Sequence, residues 1–189
     1  MNILLINGHE YWKNSPGRLN QSLLEFAEQY FVKKKHQVVV SIAESDFDIE
    51  TEVQKFIQAD LILYITPVFW MGMPAAFKFY LDRVYSGGRG KLYMNDGRVD
   101  GGEYGSAGLL KAKYSLITTW NAPSEAFNRE SAFLFGNKSV DDVFFNFHSA
   151  QKFIGLQQLP SCSLHDVTKN PDYKVLILQF EEHLQQLIN

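Results

Sequence analysis

Short aliphatic runs, apolar at odd and even positions alike, alternate along this chain with segments whose apolar residues recur every three or four positions. Ile3 to Ile6, Val38 to Ile42, Leu61 to Ile65 and Tyr114 to Thr118 are such runs, and a weaker one lies around Leu156 to Leu164. A strand that is apolar on both faces must be covered on both, the condition of a parallel sheet between helical layers. Between the runs, Leu19, Leu23, Phe26, Ala27 and Tyr30 share one helical face, as do Val53, Phe56 and Ile57. Ala76, Phe77, Tyr80, Leu81 and Val84 repeat the spacing, followed by Val143, Phe147, Ala150 and Ile154 on a helix from Val140 to Ile154, and by Leu176, Ile177, Phe180, Leu184 and Leu187. This order predicts a doubly wound α/β fold with right-handed crossovers. Five parallel strands fit the order 2-1-3-4-5, with a ligand at the switch point by the first and third strands.

The bulk numbers narrow the partners. A chain of 189 residues, 46% apolar, suits one domain with a full core. A net charge of −3 gives no basic surface for nucleic acid. The densest basic run, Lys33 to Lys35, falls where the first helix should end, and cations favour that end. The lone cysteine, Cys162, excludes a disulfide within the chain and fits a cytoplasmic setting. The first residues carry no basic n-region, and no stretch approaches the roughly 20 apolar residues of a membrane span. One segment breaks the rhythm: about 86–110 holds eight of the 13 glycines and no core-like run, a connection long enough to be either functional or disordered.

Three loops on one rim should carry the chemistry. After the first strand, Ser15 reads as an N-cap and Pro16 as the first helical residue. A helix start there offers free amides and partial positive charge to a phosphate, with Lys13 and Arg18 nearby. The loop is neither GxxxxGK[ST] nor GxGxxG, which argues against a P-loop and a dinucleotide site. After the third strand, Thr66 to Pro74 presents Phe69, Trp70, Met71 and Met73 between two prolines, an apolar wall suited to a planar ligand such as an isoalloxazine. After the fourth, Trp120 offers a ring and Asn121 a polar edge. Histidines 148 and 165 read as structural, no metal-ligand spacing is present, and Ser106 and Ser124 lack a nucleophile-elbow setting.

At these loops the sequence resembles the flavodoxin-like NAD(P)H:quinone oxidoreductases, in the modulator of drug activity B branch. The matching segments are Ile6-Asn7-Gly8, Ser15 to Asn20, Trp70 to Pro74, Leu92-Tyr93, Asp96-Gly97-Arg98, Tyr104-Gly105-Ser106, Thr119 to Pro123, Glu125 to Phe127 and Phe147-His148, spread over nearly the whole chain. Asn146 stands where a proline is expected, and Phe69 where a tryptophan is expected. The resemblance implies a flavodoxin-like fold, FAD rather than FMN, NADH or NADPH as reductant, a quinone as acceptor and a homodimer with its sites at the subunit interface. By position it implies that Ser15, Pro16, Gly17, Arg18, Leu19, Asn20, Gln21 and Ser22 hold the diphosphate; His9 departs from this branch, although the broader quinone reductases it resembles place a histidine there, near the diphosphate. Pro67, Val68, Phe69, Trp70 and Met71 would line the ring, and Thr119, Trp120, Asn121 and Ala122 its other edge. Tyr104 would approach the flavin from the glycine-rich segment. One slot used in turn by nicotinamide and quinone predicts ping-pong kinetics, with Trp70, Trp120 and Phe127 as its candidate walls and Tyr104 as the catalytic donor of a proton or a hydrogen bond to the quinone oxygen. The rival readings are a flavodoxin-type electron carrier, a subunit that senses nicotinamide or quinone, and a nitro- or azo-reductase.

Overall fold

The computed structural model describes residues 1–99, 101–169 and 171–188. Strand β1 (Asn2–Asn7) leads into helix α1 (Arg18–Lys33), then β2 (Gln37–Ile42), α2 (Ile49–Gln58), β3 (Leu61–Pro67), α3 (Ala75–Gly87) and β4 (Lys113–Thr119). Helices α4 (Val140–Val143) and α5 (Phe145–Phe153), strands β5 (Gln157–Gln158) and β6 (Cys162–Leu164) and helix α6 (Tyr173–Leu187) complete it. All the pairings are parallel and the order is β2-β1-β3-β4-β5, with β6 also on β4. Ile3, Leu5, Leu63, Ile65 and Ile117 face α1 and α6. Leu4, Ile6, Ile62, Tyr64 and Leu116 face α2, α3 and α5. The aliphatic runs are therefore continuous because the sheet buries both faces.

Two expected elements are each divided. The fifth run is two short strands, β5 and β6, separated at Leu159-Pro160-Ser161, because proline has no N–H to give the ladder. The helix expected from Val140 to Ile154 breaks at Phe144, whose ring is buried against Phe147 and Trp120. The start of α1 also differs: its N-cap is Gly17 in the left-handed region, φ 81°, and not Ser15. Ser15 is held elsewhere, since its amide and carbonyl both bond Trp12 across a four-residue turn.

A histidine outside the three loops ties the last helix to the sheet. His183 Nε2 lies 2.8 Å from Ser115 Oγ, and that hydroxyl donates to the Pro160 carbonyl at 2.8 Å. The serine proton is thus committed, so His183 Nε2–H is the donor. Burial lowers its pKa from 6.5 to about 4. The unfolded chain binds this proton first, so stability is full above pH 6.5 and falls as the pH drops towards 4, by about 3 kcal/mol. Urea melts between pH 7 and 4 should show that loss, and His183→Gln should flatten it; an unchanged pH slope in the variant would place the acid sensitivity in another group.

Candidate functional site

The C-terminal ends of β1, β3 and β4 open into a cleft of about 480 Å³, lined by His9, Asn14 to Asn20, Pro67 to Phe69, Thr119 and Asn121. A second cleft of about 390 Å³ shares Asn14, Ser15, Val68 and Phe69 with it and extends to Trp12 and Trp70. The first expected loop thus meets Pro67 to Trp70 of the second on one rim, and Thr119 and Asn121 of the third join them.

The helix start at this cleft leaves its first amides open. The first intrahelical bond runs from Gln21 N–H to the Gly17 carbonyl, so the amides of Arg18, Leu19 and Asn20 have no acceptor within the helix. No side chain caps α1 and no acid lies in its first turn. Other helices meet the same need internally: Asp48 caps α2, Asp172 caps α6, and Glu10 from the first loop accepts from Ala76 N–H at the start of α3. Beneath the amides, Asn20 donates to Asn7 Oδ1 (2.6 Å) and to the Ile65 carbonyl (2.9 Å). Its own Oδ1 is buried without a partner among the described residues. Buried polar atoms are nearly always paired, so this one marks the base of the cleft.

Gly17 is required on two counts. Its φ of 81° is strained for any side chain, and a Cβ there would lie 2.5 Å from the His9 ring. His9 is buried, with Nε2 2.9 Å from the Ser15 carbonyl and its ring edge-on to Phe69 at 6.4 Å. It sets the shape of the turn that presents the amides.

The second loop closes a tight turn. Phe69 and Gly72 exchange both backbone hydrogen bonds, and the central residues Trp70 and Met71 have φ of 49° and 63°. Both values belong to a type I′ turn, which glycine or asparagine normally fills. Two bulky residues held there raise Trp70 to 96% exposure. Strain of ~1–3 kcal/mol per residue persists where surroundings enforce it, often at ligand sites.

Several expected residues lie elsewhere. Trp120 and Phe127 are each 3% exposed and cannot wall a slot. Trp120 donates its indole N–H to Thr118 Oγ1 (2.9 Å) and packs on Phe127 and Phe144, while Phe127 stacks on Phe135 at 4.5 Å. They support the third loop from beneath. Met71 lines a separate cleft of about 470 Å³ with Met73, Lys78 and Phe145. Gln21 and Ser22 do not line the main cleft; Gln21 bonds Asn7 and Glu25 instead. The Ala122 carbonyl faces the next loop, within 3.2 Å of His165 Nδ1. His148 bridges Tyr114 (2.8 Å) and Asp141 (3.2 Å), and holds the Asp141 carboxyl below its usual range.

Tyr104 is not brought to the cleft of its own chain. The glycine-rich segment, residue 100 aside, is a compact loop whose Leu110 N–H donates to the Ile154 carbonyl and whose Tyr104 packs against Phe153 at 5.7 Å. Phe153 ends α5, just before β5, and Gln157 of β5 pairs with Lys113, the first residue of β4. Tyr104 therefore stands near the N-terminal end of the sheet, with the seven residues of β4, about 20 Å, between it and the cleft.

The cleft also holds residues the sequence did not suggest: Val167, Thr168 and Tyr173, after β6. The Thr168 hydroxyl donates to Asn121 Oδ1 and joins the third loop to this far end. Their only sequence signal is a position after the last strand of the sheet.

A sheet in this order with a cleft at the switch point defines a class, and the flavodoxin-like fold family matches residues 1–188. The chain belongs to that family. Within it, the chain falls in the branch of the NADPH:quinone oxidoreductase MdaB of Haemophilus influenzae, to which it is 38% identical over 191 residues, covering 99% of each. Mouse ribosyldihydronicotinamide dehydrogenase [quinone] is 27% identical over 146 residues, 74% of this chain and 57% of that one. Among solved structures, a putative quinone reductase from Klebsiella pneumoniae superposes with a TM-score of 0.79 at 23% identity, covering 99% and 85% of the two chains. General stress protein 14 of Treponema denticola, solved with FMN, superposes at 0.69 and 18% identity, covering 99% and 97%.

Proposed function

We propose that this protein is a flavin-dependent NAD(P)H:quinone oxidoreductase that holds FAD in the rim cleft and works as a homodimer in the cytoplasm. The observation that carries the reading is the uncapped start of α1, opening with the orphaned Asn20 Oδ1 into a cleft whose other walls are Val68 and Phe69. The residues present fit the group. The amides of Arg18 to Asn20 suit a diphosphate, Asn20 Oδ1 suits a hydroxyl of the ribityl chain, and Val68, Phe69 and Trp70 suit the ring. Val167, Thr168 and Tyr173 extend the lining beyond the three loops, room that would suit the adenine of FAD and supports FAD over FMN.

A bound flavin supplies the two-electron chemistry, accepting hydride from NADPH or NADH and delivering it to the acceptor. The chain's part is to bind and orient. The Phe69–Gly72 turn fixes the wall beside the ring, and Trp70 shields the slot that nicotinamide and quinone occupy in turn. Tyr104 serves the cleft of a second copy, where its phenol donates a hydrogen bond to the acceptor oxygen.

Anaerobic mixing with NADPH should bleach the flavin absorbance and a quinone should restore it, with parallel initial-rate plots and FAD as the flavin released on denaturation. Failure to bleach would favour an electron carrier. Release of FMN alone would sink the FAD assignment. A panel of quinones, azo dyes and nitroaromatics ranks the acceptors.

A further inference from the structure

Tyr104 is 72% exposed, yet its ring is gripped from two sides. Phe153 packs against it at 5.7 Å and 62°, and the Arg98 guanidinium carbon lies 5.6 Å from its centroid, within cation–π range. Arg98 is itself fixed. Its Nε and Nη2 both donate to Asp96 Oδ2, at 3.0 and 2.5 Å, and its backbone N–H donates to Asp96 Oδ1. Asp96 is tied to the residue after Tyr104, because the Gly105 N–H donates to the Asp96 carbonyl at 2.7 Å.

The loop does not need this ion pair to keep its shape. Met94 N–H bonds the Ala107 carbonyl, Ser106 N–H bonds that of Glu103, and Gly97 N–H bonds Asn95 Oδ1. Gly97, with φ 89°, lets the two arms meet, since a Cβ there would lie 2.3 Å from the Glu103 carbonyl oxygen. An exposed ion pair adds little to stability. What the Asp96 carboxylate does here is aim a planar cation at one aromatic face, which a lysine cannot reproduce.

We propose that Arg98 is a positioning residue, clamped by Asp96 over the Tyr104 ring so that the phenol keeps one direction towards the acceptor. The inference rests on the role given to Tyr104 above. Arg98→Gln should slow re-oxidation of the reduced enzyme by quinone about two- to fivefold. It should leave reduction by NADPH and the melting temperature unchanged. In a Tyr104→Phe background it should add nothing, because no phenol remains to aim. Arg98→Lys should fall between, keeping the charge and losing the two-bond clamp.

The side-chain rotamer of Tyr104, read by NMR from its χ1 couplings on the flavin-loaded dimer with labelled tyrosine, tests the placement apart from the chemistry: one rotamer should dominate in the wild type, and its population should fall in Arg98→Gln. An unchanged rotamer population would overturn the proposal, as would equal slowing of both half-reactions or slowing that persists without Tyr104. A lower population, with re-oxidation unaffected by Tyr104→Phe itself, would remove the tyrosine from the reaction and overturn the proposal with it.

Discussion

Gly17→Val should yield a folded protein that purifies colourless. The position is at φ 81°, and a left-handed conformation costs a side-chain residue ~1–2 kcal/mol. The added Cβ would also sit 2.5 Å from the His9 ring, which is held by the Ser15 carbonyl and lies edge-on to Phe69. Relief requires the turn to move, and the turn presents the Arg18 to Asn20 amides. Losing about 3 kcal/mol of binding corresponds to a flavin affinity about 100-fold weaker. Titration of the apoprotein with FAD, followed by fluorescence quenching, measures it. Circular dichroism should match the wild type, because α1 keeps its buried face of Leu23, Leu24, Ala27 and Phe31. A yellow variant with unaltered affinity would move the diphosphate away from this helix.

The placement of Tyr104 leads to a second large effect. Tyr104→Phe should cost about 10- to 100-fold in acceptor reduction, as expected for loss of a hydrogen bond made to the reacting oxygen. Mixed with Gly17→Val, however, it should regain activity. A mixed dimer joins the intact cleft of the Tyr104→Phe chain to the intact tyrosine of the Gly17→Val chain, which restores one complete site of two. Co-expression with two affinity tags isolates that species. Turnover per mixed dimer near half the wild-type value supports exchange of Tyr104 between copies, whereas activity no higher than that of the parents would falsify it.

Much of the architecture was legible because burial on both faces leaves an unmistakable residue pattern. Ile3 to Ile6 and Leu61 to Ile65 could hardly be anything but central strands. The details that escaped depend on partners distant in sequence. Ser15 has the chemistry of an N-cap, but its backbone is claimed by Trp12, and the helix begins two residues later on a glycine. Trp120 sits in a loop on the ligand rim, and a loop aromatic reads as exposed. Its indole N–H finds Thr118 and its ring finds Phe144, so it turns inward. Val167, Thr168 and Tyr173 carry no motif at all and reach the cleft only because β6 ends beside β4. The glycine-rich segment could be recognised as unusual, but spacing alone says nothing about which end of a sheet a loop folds towards.

The proline at 160 affects how copies of this chain can meet. It divides the border of the sheet opposite β2 into strands of two and three residues, so that side offers no long, regular row of unpaired amides and carbonyls to a neighbouring polypeptide. Continuous edges invite strand addition, and with it sheet growth from molecule to molecule. With that side interrupted, strand addition is left to the opposite border, the unbroken six residues of β2, and copies that meet on the β5–β6 side do so through side-chain surfaces.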